Sequence, residues 1–185
     1  MHNKIPSIFT FITDFKKEKI LKLNKNIAII FRNYNKTVNK KIILEIKKFC
    51  KTQNRKFFLA NNIKLAVNTG LDGAYIPSHN KDLSIKKFKL KKNFILIGSA
   101  HNKKEINIKE KQGVDVIFIS PLFITKNYKQ CLNIIKFNFL SRLTNKKVIA
   151  LGGINKKNIK KLKITNAYGF SGITYFNEIL KHEKR

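Results

Sequence analysis

The sequence predicts an α/β protein of a single domain, a compact (β/α)8 barrel, and three observations predict it. Short apolar runs recur eight times along 185 residues. Each run leads into a lysine-rich segment whose apolar residues fall at helical spacing. Some runs, such as Ile27 to Phe31 and Val116 to Ile119, are apolar at every position, as expected of parallel strands covered by helices on both faces. A barrel of this kind usually takes ~250 residues, with ~200 near the lower end, so its helices must be trimmed. An open doubly wound sheet is the competing arrangement.

The first strand, 8–13, ends at Asp14, and the following 15–25 has too few apolar anchors for a full helix. Strand two, 27–32, ends in Arg32, and its helix, 39–53, puts Ile42, Ile43, Ile46 and Phe49 on one side. Strand three, 56–61, precedes a helix over 63–69, and strand four, 73–77, a short one over 83–88. Strand five, 94–100, leads to a helix over 103–112, and strand six, 116–120, to one over 132–143. Strand seven, 147–152, and strand eight, 169–174, precede helices over 156–164 and 176–182. Each helix has one apolar stripe and a lysine face, which suits a layer packed on a sheet with its other side in water.

Lys and Arg number 40 against 10 Asp and Glu, a formal net charge of +30. Such a surplus suits a nucleic-acid binder, because clustered cations gain affinity by releasing phosphate counterions. Yet Arg32, Arg55, Arg142 and Arg185 are the only arginines, and the lysines run from Lys4 to Lys184 without a basic arm. Arginine is the residue that forks onto phosphates and guanine edges. An excess of Asn and Ile points instead to an AT-rich coding sequence, so no nucleic-acid partner is expected. Cys50 and Cys131 are far apart and form no metal or redox motif, which suits a reducing cytoplasm. No apolar run approaches the ~20 residues of a membrane helix, and no membrane partner is expected.

In a barrel of this type, the functional residues lie at the C-terminal strand ends and in the loops that follow. Gly152-Gly153 closes strand seven before a helix expected near Asn155, where backbone N–H groups can meet an anion. Ser171-Gly172-Ile173-Thr174 stands beside it at the end of strand eight. Arg32 can fork onto phosphate or carboxylate. Ser99 and His101 end strand five, Asn61 and Asn62 end strand three, and His79 and Asn80 follow strand four. Thr125 and Lys126 follow strand six. Carboxylates are scarce there: Asp14 is alone at a strand end, with Asp82 a few residues past the fourth. Paired-carboxylate chemistry and a Ser-His-Asp triad are therefore not expected.

Several segments form a recognisable ordered set: Phe11-Ile12-Thr13-Asp14; Phe58 through Ala66 with Gly70-Leu71-Asp72-Gly73; Ile97-Gly98-Ser99-Ala100-His101; Gly113-Val114-Asp115 through Pro121-Leu122-Phe123-Ile124-Thr125; and Ile149-Ala150-Leu151-Gly152-Gly153-Ile154-Asn155. From about Ile8 to Ile179 the chain resembles the thiamine phosphate synthase family, with its TenI-like thiazole tautomerase branch. The resemblance implies a (β/α)8 barrel. It also implies coupling of hydroxymethylpyrimidine diphosphate to thiazole phosphate, with Mg²⁺ assistance and release of pyrophosphate. The family's Gln-x-Arg-x-Lys diphosphate motif falls on Ile30, Arg32 and Tyr34, keeping the arginine. Its two Mg²⁺-binding aspartates fall on Asn61 and Asn80, and its diphosphate-contacting serine on Ser99. Thr125 matches the first threonine of its Thr-x-Thr-Lys loop, and Asn127 and Tyr128 replace the rest. Gly153, Ile173 and Thr174 match the thiazole phosphate grip.

Small phosphorylated heterocycles are accordingly the expected partners. The half of the site for thiazole phosphate is retained and the half for metal and diphosphate is eroded. Mg²⁺ is expected only if the chain is a synthase. The alternatives are a thiazole tautomerase, in which His79 or His101 substitutes for the branch's catalytic histidine, replaced here by Pro121, and a non-catalytic binder of phosphorylated thiazole or thiamine phosphate.

Overall fold

The computed structural model describes residues 5–33, 39–125 and 129–182, with the side chains of 181 and 182 left aside. Eight strands, β1 (Ile8–Ile12), β2 (Ala28–Phe31), β3 (Phe57–Ala60), β4 (Gly73–Ile76), β5 (Ile95–Ala100), β6 (Val116–Ile119), β7 (Lys147–Leu151) and β8 (Gly169–Ser171), close into one barrel. Every neighbouring pair is parallel, and β8 returns to β1 through Ile8 opposite Phe170 and Phe9 opposite Ser171. That closure removes the open-sheet arrangement.

The register explains why the strands are apolar on both faces. Phe9, Phe11, Ile30, Phe58, Tyr75, Ile97, Phe118 and Ile149 fill the barrel interior. Their rings meet edge-on, with Phe9 5.0 Å from Phe118 and Phe11 5.1 Å from Tyr75 between centroids, an arrangement that suits ring quadrupoles. The alternate residues, among them Ile29, Phe31, Leu59, Ala74 and Ile119, pack outward against helix residues such as Ile43, Ile46, Ile106 and Phe137.

The helices are α1 (Lys17–Leu21), α2 (Lys40–Thr52), α3 (Ile63–Asn68), α4 (Lys103–Lys111), α5 (Asn133–Ser141) and α6 (Ile173–His182). Asparagine starts three of them. The side chains of Asn39, Asn62 and Asn102 accept from Lys41 N, Leu65 N and Glu105 N, each satisfying a donor that the helix leaves free. Shortening falls where the sequence predicts it first. α1 has 5 residues and buries only Ile20.

Two expected helices, 83–88 and 156–164, are instead 3-10 turns, Ser84–Lys87 and Ile159–Ile164. The first buries Ile85 alone, and the second buries nothing, so neither has an apolar stripe that would reward a longer helix. β8 stops at Ser171, short of the expected 174, and α6 begins three residues before the expected 176. Tyr175, Phe176, Ile179 and Leu180 form a helical stripe over Leu23 and Ile27. That packing overrides the strand preference of Ile173 and Thr174.

Buried polar groups hold the chain away from the strand C-terminal ends. Arg55 is buried, and its guanidinium donates to the carbonyls of Ile20, Leu23, Asn24 and Ile27, tying α1 and the turn after it to the barrel. Asp72 accepts from Phe57 N at 2.9 Å, and Asp115 from Leu96 N at 2.8 Å. The Gly-Leu-Asp and Gly-Val-Asp turns thus carry carboxylates that satisfy amides at the starts of neighbouring strands. Burial pushes the Cys50 thiol up to about 12, which makes it a core residue and not a reactive one.

Candidate functional site

A cavity of about 660 Å³ opens at the C-terminal end of the barrel. Its floor includes Tyr75 and Leu151, and its wall takes Arg32 from the end of β2, Ser78 and His79 after β4, and Ser99 and His101 from β5 and the loop after it. The wall is completed by Thr125 after β6, Gly152 and Gly153 after β7, and Gly172, Ile173 and Thr174 after β8. Arg32, His79, Ser99, His101, Thr125, Gly153, Ile173 and Thr174, all singled out in the sequence, therefore share one cavity. Lys126 lies outside the described residues. Tyr75 escaped the sequence reading, although its alternation with the outward Ala74 puts it on the inner face.

Arg32 lies with its guanidinium 4.4 Å from the centre of the Phe11 ring, a cation–π contact that holds the fork in place. Among the described residues it has no ion-pair partner, so its charge is available to an anionic ligand. The glycines have a steric explanation. Gly152 and Gly153 have φ of 96° and 70°. A Cβ on Gly152 would stand 2.7 Å from Pro121 Cα, and one on Gly153 2.5 Å from the carbonyl oxygens of Phe123 and Ile124. Leu122 N and Phe123 N donate to Leu151 O and Gly152 O, stitching the loops after β6 and β7 together.

The helix expected near Asn155 is absent. Residues 153–158 form an asparagine turn in which Asn158 Nδ2 donates to Gly153 O at 2.8 Å and Asn155 Oδ1 accepts from Lys157 N and Asn158 N. The helix N-terminus at the cavity is that of α6, with Ile173 and Thr174 in its first turn and not at a strand end as expected. First-turn N–H groups have no partner within their helix and attract anions. Ser171 Oγ, one residue before Gly172, is buried without a hydrogen-bond partner among the described residues.

His101 is held by Glu105, whose Oε2 meets His101 Nδ1 at 2.8 Å and accepts from His101 N at 2.7 Å. A carboxylate on Nδ1 fixes the tautomer and leaves Nε2 as the ring nitrogen able to exchange a proton with a ligand.

A model of the family described as Thiamine monophosphate synthase (TMP-TENI) matches residues 17–176. The chain belongs to the thiamine monophosphate synthase family. It is 28% identical over 167 residues to a putative thiamine-phosphate synthase 2 of Aquifex aeolicus, covering 89% of this chain and 79% of that protein. It is 32% identical over 129 residues to a thiamine-phosphate synthase of Prochlorococcus marinus subsp. pastoris, covering 69% of this chain and 36% of that protein. The chain thus spans about a third of the length of the second relative. The structure of a thiamine phosphate pyrophosphorylase from Pyrococcus furiosus has the same fold, with a TM-score of 0.74 at 19% identity over 96% of both chains.

The sequence resemblance sets Asn61 and Asn80 where two metal-binding aspartates are expected. The structure brings them together, although neither lines the cavity. Asn80 Nδ2 donates to Asn61 Oδ1 at 2.8 Å, and Asn80 Oδ1 accepts from Asp82 N. Asp82 is spent on Ser84, accepting from its N and Oγ, and Asp14 pairs with Lys16 at 3.2 Å. No group of three His, Cys, Asp or Glu side chains able to hold a metal exists among the described residues. Mg²⁺ is held in proteins through one or two carboxylates, with waters and substrate phosphates completing its octahedron. Two neutral amides bonded to each other do not fit it. Asn62, expected in the site, caps α3 instead.

The sequence reading also missed Lys109. This residue is 0% exposed, and its Nζ donates to Pro77 O, Asn80 O and Gln112 Oε1 at 2.7 to 2.9 Å. Burial pushes its pKa down to about 8, against the opposing pull of Glu105. Gln112 Nε2 donates to the carbonyls of Asn80 and Asp82. Lys109 follows the buried Ile106 by three positions, the spacing that would have placed it on the inner side of α4.

Proposed function

We propose that the chain acts in thiamine biosynthesis as a thiamine phosphate synthase, joining a pyrimidine diphosphate to a thiazole phosphate inside this cavity. The observation that carries the reading is that a forked cation with a buried hydroxyl, Arg32 and Ser99, and a helix N-terminus with paired glycines, Thr174 and Gly153, line one cavity. Two phosphorylated substrates need two anion sites with their reacting ends between them. Arg32 and Ser99 take the diphosphate, while Gly153, Ile173, Thr174 and Thr125 take the thiazole phosphate. The methylene carbon of the pyrimidine loses its bond to the diphosphate oxygen and gains one to the thiazole nitrogen, with pyrophosphate as leaving group. No side chain has to form a bond. The site supplies position and positive charge on the departing diphosphate, here without a carboxylate-held metal.

Purified protein with both substrates, in Mg²⁺ and separately in EDTA, tests this. Thiamine phosphate under both conditions is the expected result, and no product under either overturns the synthase reading. A second reading is favoured by His101 and Glu105. A carboxylate-held imidazole on the wall of a thiazole phosphate site can move a proton between two positions of the thiazole ring, a tautomerase activity needing neither diphosphate nor metal. Isotope exchange from D₂O into the thiazole, lost in Glu105→Gln, distinguishes it.

A further inference from the structure

We infer that Lys109 and Gln112, with the Asn61–Asn80 amide pair, replace the metal as organiser of the loop after β4, so that Ser78 and His79 are set on the cavity wall without a divalent cation. The carbonyls of Pro77, Asn80 and Asp82 turn inward onto Lys109 Nζ and Gln112 Nε2. Oxygens converging in this way are what a loop offers to a bound cation, and here the cation is an ammonium tethered to α4. An ammonium is costly to bury unless its donors are all matched. Lys109 meets three acceptors, and no carboxylate lies within ion-pair reach among the described residues.

The barrel makes room for it. A Cβ on Gly98 of β5 would stand 2.8 Å from Lys109 Cδ and 3.0 Å from its Cγ, so the glycine admits the lysine stem. With its carbonyl drawn inward, Asn80 has its side-chain amide bonded to Asn61. The end of β3 and the loop after β4 are thereby joined directly, where the family pattern has two aspartates and a metal. Lys109 and Gln112 are positioning residues: neither lines the cavity, and both act through residues 77–82.

The inference rests on the family reading of Asn61 and Asn80, and on the proposed function only for the use of Ser78 and His79. Its test reads the loop itself, by hydrogen exchange and mass spectrometry on peptides spanning 73–88, where the amides of Asn80, Asp82 and Ser84 are bonded within the loop. In the wild type, protection is expected to be the same in EDTA and in millimolar Mg²⁺. Lys109→Met keeps the stem and leaves both loop carbonyls a donor, since Pro77 O retains Asn80 N and Asn80 O retains Gln112 Nε2, while Gln112 Oε1 loses the ammonium. It should speed loop exchange by about ten-fold while exchange in β1 to β3 stays unchanged.

Gln112→Leu should act in the same place and decides the matter if Lys109→Met does not fold. In the combined variant Asn61→Asp, Asn80→Asp, Lys109→Met, added Mg²⁺ should restore protection, a rescue that a merely space-filling role for Lys109 would not give. Mg²⁺-dependent protection in the wild type, unchanged exchange in Lys109→Met and Gln112→Leu, or no rescue in the combined variant overturns the inference. Failure of the wild type to bind thiazole phosphate would remove the proposed function and leave the exchange result standing.

Discussion

Two glycines with similar backbone angles and different surroundings allow the role of the β7 loop to be tested with an internal control. Gly113 has φ of 77° and Gly153 φ of 70°, so alanine at either carries the left-handed penalty, about 1 kcal/mol. Among the described residues nothing lies within 4 Å of a Cβ at Gly113, and the cost ends there. At Gly153 the new carbon would sit 2.5 Å from two main-chain oxygens, Phe123 O and Ile124 O. Main chain cannot rotate aside as a flexible side chain does, so the loop holding Phe123, Ile124 and Thr125 must shift. Overpacking of this kind adds about 1–3 kcal/mol. For a chain of this length, ~1 kcal/mol lowers Tm by ~2–4 °C. Gly113→Ala is thus expected to lose ~2–4 °C and Gly153→Ala about three times as much. Thermal unfolding measures the first difference and calorimetric titration with thiazole phosphate the second. Gly153→Ala should bind at least ten-fold more weakly, and Gly113→Ala as the wild type does. Equal Tm losses, or unchanged affinity in Gly153→Ala, would refute both the clash and the placement of the phosphate.

Arg32→Met keeps an apolar stem over the Phe11 ring and removes the fork; titration should show pyrimidine diphosphate binding weakened roughly 10- to 150-fold, the equivalent of ~1.5–3 kcal/mol, with thiazole phosphate affinity unchanged. Arg55→Met removes the donor shared by four carbonyls, and urea unfolding should report a loss of about 3 kcal/mol. Lys109 gives a pH signature of definite sign. Its pKa is pushed down from 10.5 to about 8 in the folded chain, so the unfolded chain binds the proton more tightly between these values. Stability from this group is present in full above the ordinary lysine value and is lost as the pH falls through about 8. The stability of the wild type relative to Lys109→Met should therefore rise by about 3 kcal/mol between pH 8 and 10.5. A difference that stays flat with pH would contradict it.

The barrel was legible because strands such as 27–31 and 116–119 are apolar on both faces and the helices between strands carry one stripe, periodicities that survive any surface composition. The trimmed elements were legible only where apolar anchors run out, as in 15–25. Residues 156–164 read as helix because Ile159, Leu162 and Ile164 recur at suitable intervals, yet none of them is buried in the 3-10 turn that forms. Ile173 and Thr174 read as strand from local preference and were claimed by α6 through Phe176, a contact with Leu23 and Ile27 far away in sequence. The site was legible where function follows topology, at the strand ends. It was not legible for Lys109, because a lysine among so many others gives no sign of which one is buried.

The charge balance has a meaning in the interior that surface drift does not supply. With ten carboxylates in the whole chain, a buried cation seldom finds an acid to pair with. Arg55 and Lys109 solve this identically, donating to main-chain carbonyls, the first at α1 and the turn after it and the second at the loop after β4. Carbonyl dipoles are weaker partners than carboxylates, but they are fixed by the fold and cost nothing further to orient. The same scarcity stands at Asn61 and Asn80. Two carboxylates 2.8 Å apart would repel each other unless a cation lay between them, whereas two amides at that distance donate and accept in turn. Asn80 is the donor of that bond and Asn61 its acceptor, so Asn80→Asp should loosen the loop, because a carboxylate accepts and cannot donate, whereas Asn61→Asp keeps an acceptor in place and should leave the loop tied, a contrast that hydrogen exchange over 73–88 reads.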